Sequence, residues 1–265
     1  MNTRTVCLAG FGAAVLLAGL MAARPAAPGP TAPAAARPAA PRRASLLSAT
    51  ATQQFWRRHQ LNTLLQLDRR NGQGAQSGFF GNDGFRLDVA LLQVQRDASN
   101  PHVYRVEGKS RCLKKIAVPF QGVIVFSKVY QAPAQAGEPP RYTLVGSFEF
   151  EEERIARNTG TYRGTLTTDV QMEDGRLQYS YVEGSPANRC GARYKGQWRS
   201  TEGEVETVVW AQNWRALANQ VFLDFEVGER MPSINRKYAN RGWNQFWEND
   251  EWWADSPAAT TRISL

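Results

Sequence analysis

Glu149, Glu151, Glu152 and Glu153 crowd into one short stretch, and Asp88 lies in another segment of alternating polarity. Two carboxyl groups facing each other across a cleft, roughly 5–10 Å apart, are what glycoside hydrolysis needs, one as acid and the other as base or nucleophile. The same run also keeps a strand end hydrated, and for neighbouring like charges that is the weightier account. His59 and His102 have no serine, cysteine or acid at motif spacing, so the pattern holds neither a nucleophilic triad nor a metal set. No catalytic residue, metal ligand or cofactor is assigned. A carbohydrate-active enzyme of the glycosidase type, using strand carboxylates, is the alternative to a non-enzymatic role.

The aromatic residues suggest binding instead. Tyr142, Tyr162, Tyr179, Tyr181 and Trp198 lie in segments of alternating polarity. Trp243 and Trp247 lie in a tail where rings alternate with amides and acids, Gly242-Trp243-Asn244-Gln245-Phe246-Trp247-Glu248. A ring face stacks on a sugar while polar neighbours take its hydroxyls. These residues are the candidates for holding a small apolar or glycan ligand. The competing account of the tail is a short helix that closes one end of the fold with its rings buried.

Strands must position these side chains. From Phe85 the apolar period is two, with Phe85, Leu87, Val89 and Leu91 on one face and Arg86 and Asp88 on the other. Further runs are expected at 102–107, 116–127, 141–152, 159–168, 176–183, 193–200 and 206–211, and one more at 220–226. Turn-rich stretches such as Asp97-Ala98-Ser99-Asn100-Pro101 and Glu173-Asp174-Gly175 separate them. Eight or nine short antiparallel strands imply an all-β domain. Four of the runs repeat apolar-x-Gly-x-apolar around Gly122, Gly146, Gly164 and Gly196. Glycine on the apolar face of a strand marks a bend or a close approach, and closed sheets need such bends. An up-and-down β-barrel is therefore expected, with a β-sandwich as the alternative. Ahead of it, Thr50 to Leu67 reads as an amphipathic helix with Thr50 and Gln53 at capping-box spacing, packed on the domain that follows.

Gly196-Gln197-Trp198 resembles the glycine–tryptophan strand of lipocalin and avidin-like barrels, although here it stands late in the chain rather than in the first strand. The resemblance implies a barrel shape and no particular activity. Phe225-x-Val227-Gly228, Asn235-x-Lys237-Tyr238 and Gly242-Trp243 are similar to the tail of an uncharacterised group of exported bacterial β-rich proteins, which brings no function with it.

Location follows from the start of the chain. Val6 to Ala23 is an unbroken apolar run after Arg4, followed by a Pro/Ala/Arg-rich stretch. This pattern is an export signal, cleaved or kept as an anchor, and the proline-rich stretch is an extended tether. Residues 1–23 are thus read as signal peptide or signal anchor, 24–47 as linker, 48–70 as helix and 71–265 as barrel with a Trp-rich C-terminal cap. The expected location is extracytoplasmic: periplasmic, secreted or tethered. Beyond the signal's Cys7 the chain holds two cysteines, Cys112 and Cys190, and an even number in an exported protein favours a disulfide. In a meander both would follow even-numbered strands and emerge at one end. The net charge of +8 resides in the arm: up to residue 70 there are nine arginines and one acid, and after it the signs balance. A nucleic-acid face needs clustered positive charge on the domain, so none is expected, and membrane contact is expected only through the N-terminal segment. The sequence supports an exported cell-envelope barrel, binding or structural, of unassigned biochemical function.

Overall fold

A computed structural model describes residues 44–71, 73–113, 115–155, 159–228, 233–244 and 251–254. The signal run, most of the linker and Trp247 lie outside the described residues. In chain order the strands are β1 Ser45–Leu46, β2 Gln76–Phe80, β3 Phe85–Arg96, β4 Val103–Cys112, β5 Val118–Gln131 and β6 Arg141–Glu152, with apolar and polar side chains alternating along β4 and β6. They continue with β7 Gly160–Glu173, β8 Arg176–Tyr179, β9 Ala192–Ser200, β10 Val205–Ala211, β11 Glu226–Val227 and β12 Ser233–Ile234. The helices are α1 Ala49–Arg58, α2 Asn62–Leu65 and α3 Trp214–Val221.

Following antiparallel pairs from β2 through β3, β4, β5, β6, β7, β9 and β10 leads back to β2, so eight strands form a closed up-and-down ring. The all-β expectation is met. The strands differ from the expected set in two places. The Gly-rich segment before Phe85 supplies β2, which sequence alternation did not reveal. The run at 176–183 contributes only four residues, and they pair with β7 alone, off the ring.

One cluster of buried side chains fills the ring. Tyr194 and Trp210 stack at 4.9 Å, Phe148 meets Trp210 edge-on at 5.0 Å, and Phe120 lies against Phe150 at 4.9 Å. The repeated glycines sit where neighbouring backbones come closest. A Cβ at Gly164 would lie 2.7 Å from the Cα of Gly196, its cross-strand partner, and would also strike the Lys195 carbonyl.

The lower rim is the end that carries the β3–β4 and β5–β6 turns, and the N-terminal segment plugs it. Ser48, not Thr50, caps α1 by accepting the Ala51 N–H at 3.3 Å. The helix then stops at His59, whose backbone is extended. The break turns Leu61, Leu64 and Leu65 into the core beside Phe55 and Trp56. Trp56 lies 5.4 Å from Phe126, and Phe55 5.1 Å from Tyr142. The Leu61 N–H donates to the Tyr104 hydroxyl at 3.1 Å. The last linker residues also join the fold, since Ser45 and Leu46 pair with β5.

A second, smaller core covers the outer wall of β2 and β10. Its sequence does not make the strand expected at 220–226: α3 occupies 214–221 and buries Leu217 and Ala218 there. Trp243 packs on outward-facing Phe79 at 5.1 Å and on Phe225 at 4.9 Å, and its indole N–H donates to the Gly84 carbonyl at 3.1 Å. The described part of the tail therefore lines a side wall of the ring instead of capping an end. Among the described residues no helix is long and apolar enough to cross a membrane.

The expected disulfide is not formed: Cys112 and Cys190 are free thiols. Cys112 ends β4, while Cys190 leads into β9, and in the ring order three strands separate β4 from β9 in either direction. Parity put both at one end only because the segment around β8 was counted as a full crossing. Since β8 stays off the ring, Cys190 emerges at the lower rim and Cys112 at the upper.

Candidate functional site

The strand carboxylates do not converge. Along β6 the side chains alternate, so Glu149 and Glu151 project from the ring exposed, and Glu149 pairs with Arg163. Glu152 points inward and is 8 % exposed. It accepts from the Ser110 hydroxyl at 2.5 Å, the Tyr162 hydroxyl at 3.0 Å, the Trp198 indole N–H at 3.0 Å and the Gly160 N–H at 3.0 Å. These donors come from β4, β7 and β9, so one carboxylate ties four strands at the upper rim. Burial and the neighbouring carboxylate push the Tyr162 hydroxyl well above its ordinary range. Asp88 faces outward on β3, buried, and accepts from Arg86 at 2.8 Å, Arg111 at 2.9 Å and Ser77 at 2.7 Å. Glu152 inside the ring and Asp88 outside it share no cleft.

The aromatic candidates separate likewise. Tyr162 and Trp198 are donors to Glu152 inside a filled core. Tyr142 is part of the seal between α1 and the lower rim. Trp243 belongs to the outer-wall core. Beside an open cleft of about 840 Å³, Tyr179 and Tyr181 come together, their rings 6.4 Å apart.

That cleft lies between the break separating α1 from α2 and strand β8. Its walls are Arg58, His59, Gln60, Asn62, Thr63, Leu64 and Gln73 on one side, and Gly175, Arg176, Leu177, Gln178, Tyr179 and Tyr181 on the other. Tyr181 is 48 % exposed, whereas Tyr179 is 6 % exposed and its hydroxyl has no hydrogen-bond partner among the described residues. The Oδ1 of Asn62, a half-buried residue, is likewise buried without a partner among them. A buried polar group left unpaired costs about 1–3 kcal/mol, which a molecule that parts the cleft floor enough to bond to it would recover. Burial first, and then Tyr194 and Tyr181 nearby, raise the Tyr179 hydroxyl well above its ordinary range, so it stays protonated and able to donate. Burial, with the Arg58 charge beside it, lowers the His59 imidazole below its ordinary 6.5, which leaves it neutral near pH 7.

Sequence reasoning reached Tyr179 and Tyr181 but missed Gln60, Asn62, Thr63, Gln73 and Gln178. Nothing in their spacing marks them, because the site arises from a helix break meeting a strand far along the chain. Glu152 did carry a signal: it shares parity with Phe148 and Phe150, the inward residues of β6. Among the described residues no group of three or more His, Cys, Asp or Glu is placed to hold a metal ion. No family model, no curated protein and no solved structure matches this chain.

Proposed function

We propose that this is an extracytoplasmic, non-enzymatic binding protein that holds a small hydroxylated ligand of the glycan type at the lower mouth of the ring. The observation that carries the reading is the cleft, where the buried, unpartnered Tyr179 hydroxyl meets a half-exposed Tyr181 ring and a border of amides. A ring to stack on, surrounded by neutral donors and acceptors, suits a sugar. The filled interior argues against an apolar ligand held inside the barrel, and the separation of Glu149, Glu151, Glu152 and Asp88 argues against hydrolysis by paired carboxylates. The signal-like run at 6–23 supports the location.

The test is a thermal-shift and intrinsic-fluorescence titration with mono- and oligosaccharides, run beside the apolar probe N-phenylnaphthylamine. The reading expects saccharides to raise the melting temperature, and expects Tyr179→Phe and Tyr181→Ala each to weaken that response without lowering the ligand-free Tm by more than a few degrees. Tight binding of the apolar probe with no saccharide response would replace this reading with an apolar-ligand barrel.

A further inference from the structure

Resting on the reading above, we infer that the cleft selects an acidic saccharide: a polyhydroxylated ring that carries a carboxylate or phosphate. The charge lining the cleft is of one sign, with Glu173, the cross-strand partner of Arg176, and Asp174 just outside the lining. Arg58 ends α1 on one wall and Arg176 begins β8 on the other, and both are exposed. No acidic side chain lines the cleft among the described residues. Neither arginine forms an ion pair among the described residues, whereas Arg86 and Arg111 lie against Asp88, Arg163 against Glu149 and Arg141 against Glu138. In this reading guanidinium groups on the two walls share one oxyanion, to which each can donate two parallel N–H bonds.

The floor of the cleft has the opposite character. The Tyr179 hydroxyl and the Asn62 Oδ1 are neutral, buried and without a hydrogen-bond partner among the described residues, and Gln60, Gln73 and Gln178 add uncharged donors and acceptors. A bare inorganic anion would satisfy the arginines and leave the floor unpaired. A neutral sugar would satisfy the floor and leave the arginines solvated. A sugar acid engages both, with its hydroxyls at the floor and its charge at the rim.

Isothermal titration of the full chain at low salt tests this with four probes: glucose, glucuronate, glucose 6-phosphate and inorganic phosphate. The two acid sugars should bind about tenfold or more tightly than glucose, as an added charge-assisted bond allows. Their advantage should shrink as salt is added. The double variant Arg58→Gln/Arg176→Gln, changed only at exposed positions, should bind all three sugars alike and melt at the wild-type temperature. Glucose bound as tightly as the acid sugars would overturn the acidic selectivity and leave the binding function standing. Phosphate alone matching glucose 6-phosphate would show an anion site without sugar recognition and would equally overturn the inference. Failure of every sugar to bind would remove both readings together.

Discussion

Glu152 shows how much one residue's register decides. Three acidic neighbours flank it in the sequence, and composition alone treats the run as a solvated strand end. Strand parity turns Glu149 and Glu151 out to water and Glu152 into the core, where four donors from three other strands converge on it. Replacing it with alanine leaves Ser110, Tyr162, Trp198 and the Gly160 amide buried without their acceptor. At about 1–3 kcal/mol for each orphaned group, partly relieved by relaxation, Glu152→Ala should lose more than about 2 kcal/mol, whereas Glu151→Ala, on the exposed face, should stay within about 0.5 kcal/mol. Urea midpoints of the two variants check this, and equal midpoints would deny Glu152 its structural role. The thiols belong to the same scale. Burial pushes the Cys112 thiol up to about 12, with the Asp88 and Glu152 charges adding to the rise and Lys115 opposing it. A thiol so held is neither a nucleophile nor a ready disulfide partner at neutral pH.

At the scale of elements, the glycine repeat was legible and the strand count was not. Gly122, Gly146, Gly164 and Gly196 were identified by position alone, and each proves to lie where a Cβ would collide with the backbone of the next strand. In Gly164→Val the branched side chain meets Gly196 and the Lys195 carbonyl on β9. Overpacking of this kind costs about 1–3 kcal/mol, and more where backbone must move. The variant should melt well below wild type, although valine is the better strand former, and an unchanged or raised melting temperature would mean that the sheet has room there. β2 escaped notice because Gln76-Ser77-Gly78-Phe79-Phe80 buries both faces, its inward residues toward the ring and Phe79 under α3, so no alternation survives. β8 misled for the converse reason: it alternates well but turns back after four residues. The helix was found, yet its break at His59 was not, because the break is imposed by the mouth into which Leu61 and Leu64 must turn.

Across the whole molecule, the closed ring is sealed below by α1 and α2 and tied above by Glu152, and a third element, α3 with the tail, covers one outer wall. A ring filled by Phe148, Tyr194 and Trp210 leaves recognition to its rims. The cleft beside β8 is where the plug meets the wall incompletely, and there the unpaired Tyr179 and Asn62 groups remain. A sequence does not show such a seam: its two walls lie more than a hundred positions apart, and their residues, mostly polar, belong to no motif. The measurement that bears most directly on this account is backbone-amide NMR mapping of the protein titrated with glucuronate. The account predicts shift changes confined to residues 58–64, Gln73 and 176–181, with the amides of Phe148, Tyr162 and Trp198 in the ring and Phe79 on the outer wall unmoved. Changes centred on the ring interior or the outer wall, with the cleft silent, would contradict it.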